Sequence, residues 1–193
     1  MCIRDRLKIY HLKEKDLRCT WHILRKECNS IMQFLGSLLY RSFRKIHSIV
    51  LESYLKYNIK GGGKTLHIYD NPKVICPEKL MIGNNCSFNN DCFIHCVGNV
   101  VMGNNVTVSA GAKIFSTQYD VSGWSESLEH THIRKKVFIN DGCWICSGAI
   151  ILPGVSINGK NVIVGANAVV NKDINEDNVL VAGIPAKIIK KYA

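Results

Sequence analysis

Residues 139–174 read INDGCWICSGAIILPGVSINGKNVIVGANAVVNKDI, and their rhythm decides the fold. Ile139, Ile145, Ile151 and Ile157 recur every six residues, and Cys143, Ala149 and Val155 place a small residue four positions after the first three. A period of six matches neither the 3.6-residue turn of a helix nor the two-residue alternation of a flat strand. It matches a chain that turns a corner after each short strand, with the aliphatic side chain inward and the small one filling the space beside it. Three such hexads close one triangular coil. A coil cannot bury its own inner face and is stabilised by stacking on the next.

The same ladder continues outward from this stretch. Val164 follows Ile157 after seven residues and Val170 after six more, so one extra residue bulges at Asn158-Gly159-Lys160. Upstream the rhythm returns as Ile82, Phe88, Ile94 and as Met102, Val108, Ile114. The expected fold is an all-β repeat, a parallel β-helix of hexapeptide coils over 64–193, with coils at 82–99, 102–118, 139–156 and 157–175. Ile68 and Val74 begin an irregular first coil with Pro72 and Pro77 at corners. Val179–Ala182 is a last strand, and Gly183-Ile-Pro-Ala-Lys187 leads into a short basic tail. Between the second and third coils the ladder breaks, and 119–136 is expected as an extruded loop. A long loop on a rigid scaffold is where function concentrates.

The 193 residues carry a formal charge of +10, unevenly placed. Residues 1–63 hold 13 Lys/Arg against 5 Asp/Glu, and 64–193 hold 12 against 10. Nucleic-acid binding would need basic residues interleaved with aromatics on one surface, and the repeat region has no such stripe. Residues 1–63 form a basic, mostly helical segment ending in a hinge at 58–64. Its first six residues, Met1–Arg6, read as translated adapter sequence and carry no function. Ile31, Phe34, Leu35, Leu38, Leu39, Phe43, Ile46, Ile49 and Val50 fall at spacings of three and four, backed by Arg41, Arg44, Lys45 and Lys56. Such a stripe over 30–57 can lie on an anionic membrane surface as a peripheral contact, or pack on the β-helix or on a neighbouring subunit. Gly61-Gly-Gly-Lys-Thr65 lacks the earlier glycine of a phosphate loop, Asn58 standing in its place.

No signal peptide and no run of 18 apolar residues is present, so the nine cysteines are read as thiols in a reducing cytoplasm, with membrane association only through the stripe. Cys86, Cys92 and Cys143 occupy the inward small-residue slot, where a thiol acts as a compact hydrophobe. Cys143-x-x-Cys146 and the Cys92/His95/Cys96 group look like metal sites. Yet Cys92 and Cys143 point inward while His95, Cys96 and Cys146 are expected to point outward, so no metal site is expected.

The run Cys143-Trp144-Ile145-Cys-Ser-Gly-Ala-Ile-Ile-Leu-Pro-Gly-Val155, with Val164-Gly-Ala-Asn-Ala-Val-Val-Asn-Lys-Asp173 and Ala182-Gly-Ile-Pro-Ala-Lys187, resembles the hexapeptide-repeat acetyltransferases. These include the maltose, galactoside, nodulation-factor and polysaccharide O-acetyltransferases, and the resemblance covers roughly 65–193. It implies a left-handed β-helix, an exception to the usual right-handed crossover. It also implies a homotrimer, acetyl-CoA as co-substrate in the groove between two subunits, and a carbohydrate acceptor. By the resemblance Ser147 and Gly148 present main-chain groups to the thioester and pantetheine arm, with Trp144 beside them. Lys172 and Lys187 meet the nucleotide end, Ala166 and Pro185 lie along the same wall, and Asn89 meets the acceptor sugar. The family's acceptor-binding acid is Val97 here.

Acyl transfer to a hydroxyl needs a base, for which histidine is the usual choice, and donors for the developing oxyanion. In the sugar acetyltransferases the catalytic histidine comes sixteen residues after the glycine matching Gly103; here that residue is Tyr119. A phenol ionises near pH 10 in water and is a poor base at neutrality. The loop supplies His132 and His130 instead, with Asp120 as an orienting carboxylate, and His95 lies one coil below the loop's root. The expected activity is acetyl transfer from acetyl-CoA to a hydroxyl of a sugar or surface-polysaccharide unit. The alternatives are a non-catalytic trimer, motivated by Tyr119, and a zinc carbonic anhydrase on the same scaffold. The latter needs three converging histidines, and His130 and His132 are spaced too closely for that pattern.

Overall fold

The computed structural model describes residues 14–61, 65–122, 124 and 131–192, and only the backbone of 14–28. Two compact units divide at Ile46/His47, inside a single α-helix, α1, that runs Glu14–Asn58. The helix ends by joining the repeat core, because Leu55 and Ile59 are buried and Leu51 packs against them. Lys60–Gly61 is already a strand, paired in parallel with Met81–Ile82, where a hinge was expected. Residues 62–64 of that hinge lie outside the described residues.

From Lys60 onward the described residues build three parallel sheets that stack coil on coil. The first carries Lys60–Gly61, Leu80–Ile82, Val100–Met102, Val137–Ile139 and Ser156–Ile157. The second runs from Leu66–Ile68 through Cys86–Phe88, Thr107–Val108, Trp144–Ile145 and Ile163–Val164 to Val179–Ala182. The third contains Lys73–Ile75, Phe93–His95, Lys113–Phe115, Ile150–Ile151 and Val169–Val170. Each hexad leader sits directly on its counterpart, as Ile82, Met102, Ile139 and Ile157 do on the first face. All the hexad leaders from Ile82 to Val170 are at most 4% exposed. Buried Ile side chains contribute about 2–3 kcal/mol each, so the columns dominate stability. The extra residue after Ile157 appears at its corner, where Asn158 and Gly159 both donate their N–H to Ile174 O.

Sharp corners need left-handed backbone, which Asn and Gly supply most readily. Asn85, Asn105, Asn161 and Asn178 have φ of 53–57°, and their amides join into ladders, Asn85 Nδ2 donating to Asn105 Oδ1 at 2.9 Å and Asn161 Nδ2 to Asn178 Oδ1 at 3.0 Å. The third coil uses Gly142 at this corner, because a Cβ there would lie 2.1 Å from Asn161 Oδ1.

Two expectations are corrected. Cys96 is fully buried rather than outward-facing. Strand alternation carries on past Ile94 (in) and His95 (out), so the next side chain turns inward again. The C-terminal segment is not a loose tail: Lys187–Lys191 pairs antiparallel with Val179–Ala182 and covers that sheet's edge.

Candidate functional site

The stretch expected as an extruded loop leaves the third face as a hairpin. Strand Thr117–Tyr119 pairs antiparallel with His132–Arg134, and the register sets Tyr119 opposite His132. Their rings lie 4.2 Å apart between centroids, and Trp124 meets Tyr119 edge-on at 5.7 Å. The hairpin thus carries an aromatic cluster that includes the residue at the family's base position and the histidine expected to replace it. His130 lies outside the described residues.

The root of the hairpin is held by a buried hydroxyl. Ser116 is 0% exposed; its Oγ donates to His95 O at 2.5 Å and accepts from Gly98 N at 2.8 Å. Ser116 O then accepts from Lys135 N at 2.8 Å, so one residue ties both ends of the hairpin to the coil below. His95 is half-buried beneath it, with Nδ1 3.1 Å from Thr117 Oγ1 and its ring stacked on Phe93. Asp120 is partly exposed and turned within the loop. Its Oδ1 accepts from Ser122 N at 2.9 Å and from Ser122 Oγ at 2.7 Å, and these bonds hold its carboxyl below the usual carboxylate range.

A second group gathers at a different corner, between the second and third faces. Trp144 stands outward and half-exposed, its indole N–H donating to Ser109 Oγ of the coil below at 2.8 Å. Ser147 and Ala166 are exposed along the same edge, and Pro185 follows one coil further on. Lys187, paired with Ala182, lies beside them. Gly148 sits in the edge with φ 70°, and its N–H is already committed to Ala110 O at 3.1 Å. Asn89 belongs to this edge too, its Nδ2 donating to Val108 O at 3.1 Å. Lys172 follows Val170 and falls instead on the corner from which the hairpin leaves.

Among the expected residues, therefore, Trp144, Ser147, Gly148, Ala166, Pro185, Lys187 and Asn89 share one corner, while Asp120, His132, His95 and Lys172 share the next. The third face separates the two corners, and a strand of three residues spans about 10 Å. Sequence reasoning missed Ser109, Ser116, Thr117 and Trp124. Of these only Trp124, a tryptophan inside a polar loop, offered a signal. Among the described residues no three His, Cys, Asp or Glu side chains gather to hold a metal ion.

No protein-family model matches the chain. A galactoside O-acetyltransferase of Lactococcus lactis is 40% identical over 96 residues, which is 49% of this chain and 42% of the relative. The chain spans about half the length of the curated relatives it matches. Among solved structures, a maltose O-acetyltransferase of Clostridium difficile is 29% identical, with TM-score 0.67 and coverage of 74% of each chain. A galactoside acetyltransferase in complex with coenzyme A is 27% identical, with TM-score 0.66, over 72% of this chain and 68% of that one. In fold and in sequence the chain is similar to the hexapeptide-repeat acetyltransferases, those of galactoside and maltose among them.

Proposed function

We propose that the chain is an acetyl-CoA-dependent O-acetyltransferase whose acceptor is a hydroxyl of a sugar or surface-polysaccharide unit, with His132 as general base. The observation that carries the reading is the hairpin register, which sets His132 directly across from Tyr119. The pairing sets a histidine ring 4.2 Å from Tyr119, the residue at the base position that the resemblance implies, although it comes from the other strand. In this reading the acceptor O–H gives its proton to the His132 imidazole while the oxygen attacks the thioester carbonyl carbon. The carbon–sulfur bond then breaks, and the departing thiolate of coenzyme A takes the proton back. The indole of Trp144, pinned to Ser109, supplies a rigid wall for the pantetheine arm.

The donor corner and the base corner lie on opposite edges of one face, which favours a site closed between two chains. We place the reaction where the Trp144 edge of one copy meets the hairpin of another, with three copies closing a ring. The test is release of free thiol from acetyl-CoA with a panel of sugars and sugar nucleotides, for wild type and for His132→Ala, His130→Ala and His95→Ala. The reading expects His132→Ala alone to lower turnover by about 10²–10⁴-fold, the usual worth of a positioned base. Full activity of that variant, or no transfer by wild type to any sugar, would overturn it.

A further inference from the structure

The helix α1 presents an apolar surface that the described structure leaves uncovered. Between Asn29 and Ile46, Ile31, Phe34, Leu35, Leu38, Leu39, Phe43 and Ile46 are all exposed, Phe34 at 67% and Phe43 at 73%. At 3.6 residues per turn these side chains fall within about half of the helix circumference. That is wider than the narrow two-position seam by which helices wind around one another. The other half carries Gln33, Ser37, Arg41 and Arg44, while Lys45 falls just inside the edge of the apolar half, from which its long stem can reach the headgroups, and no acidic residue occurs between Glu27 and Glu52. The Arg44 guanidinium lies 5.9 Å from the Tyr40 ring, within the polar half.

From this division we infer that residues 29–46 lie flat on an anionic lipid surface, the apolar half in the acyl–headgroup boundary and the three cations against the headgroups. Charge decides the occupant. A second copy packed on the apolar half would offer nothing acidic to Arg41 and Arg44 on the other, whereas an anionic bilayer complements both halves at once. No helix of the described residues is long and apolar enough to cross a membrane, which fits a helix lying along the surface. An enzyme held this way would meet acceptors that are themselves attached to lipid. The docking stands independently of the acetyl-transfer reading, because it is measured without substrate.

The experiment is co-sedimentation of the full chain with vesicles of phosphatidylcholine alone and of phosphatidylcholine mixed with phosphatidylglycerol, at low and high salt. Wild type is expected to bind the anionic vesicles, more weakly as salt rises, and to leave the neutral ones in solution. Phe34→Glu with Phe43→Glu should lower partitioning by about a hundredfold, since two large apolar side chains lose their burial. Arg41→Gln with Arg44→Gln and Lys45→Gln should remove the preference for anionic lipid while the melting of the repeat domain stays unchanged. Equal binding to both vesicle types, or unaltered binding by both variants, would overturn the inference. So would a change in sedimentation coefficient of the phenylalanine variant without lipid, because the stripe would then be buried between copies.

Discussion

Replacing Ser116 with alanine should destabilise the repeat domain and loosen the hairpin that carries Tyr119 and His132. The hydroxyl is fully buried, and it is the acceptor for Gly98 N at 2.8 Å. His95 O keeps one donor after the substitution, because Ser116 N still reaches it at 3.1 Å. Gly98 N–H keeps none of this kind and is left in a dry corner. An orphaned buried amide costs about 1–3 kcal/mol, so about 2 kcal/mol is expected. Relief by a backbone shift is restricted, since a Cβ at Gly98 would already lie 2.0 Å from Ser116 O, which measures how closely the two segments approach. For a unit of this size about 2 kcal/mol corresponds to a fall in melting temperature of roughly 4–8 °C. Calorimetry of the full chain would measure it, with Thr117→Ala as the comparison, since that change removes only a half-buried contact to His95. A Ser116→Ala melt within a degree of wild type would refute the reasoning, because the amide must then have found another partner at no cost.

Other consequences follow from the same geometry. Gly148→Ala should be destabilising and should weaken acetyl-CoA binding, because the position has φ 70° and a Cβ there would meet Asn167 Oδ1 at 2.2 Å; equilibrium denaturation and the KM for acetyl-CoA would read the two effects. Burial pushes the Cys92 and Cys96 thiols up to about 12 and that of Cys143 to about 11. Thiols raised on folding stabilise fully below their ordinary value, and this stability is lost as pH rises from there through the folded values. Urea unfolding should therefore show stability falling between about pH 9 and 12, less steeply in Cys92→Ala than in wild type.

The columns of the fold were legible because each hexad leader is apolar and every coil repeats the same demand. Cys96 was not, since a template of one inward leader and one small residue per hexad ignores the alternation that turns the residue after His95 inward. The left-handed corners were written in Asn85, Asn105 and Gly142, but their meaning depends on which side chain stacks above, as Asn161 does on Gly142. At the site, the edge holding Trp144 and Ser147 was readable from the motif around them. The pairing of Tyr119 with His132 was not, because hairpin register depends on loop residues with no hydrophobic face to fix it. The stripe on α1 was visible as an amphipathic pattern. That Leu51 and Leu55 are the helix side chains turned into the repeat core, with Ile49 and Val50 left exposed, needed coordinates.

The central claim is that one copy supplies the Trp144 edge and another the His132 hairpin, and subunit mixing tests it most directly. His132→Ala and Trp144→Ala would each be prepared alone, then unfolded together and reassembled in equal amounts before thiol release is assayed. Random mixing leaves both groups intact at about a quarter of the shared interfaces. The account predicts recovery of about that fraction of wild-type turnover from two variants that are each nearly inactive. Turnover remaining at the level of the separate variants would contradict it, since no single chain in the mixture carries both residues.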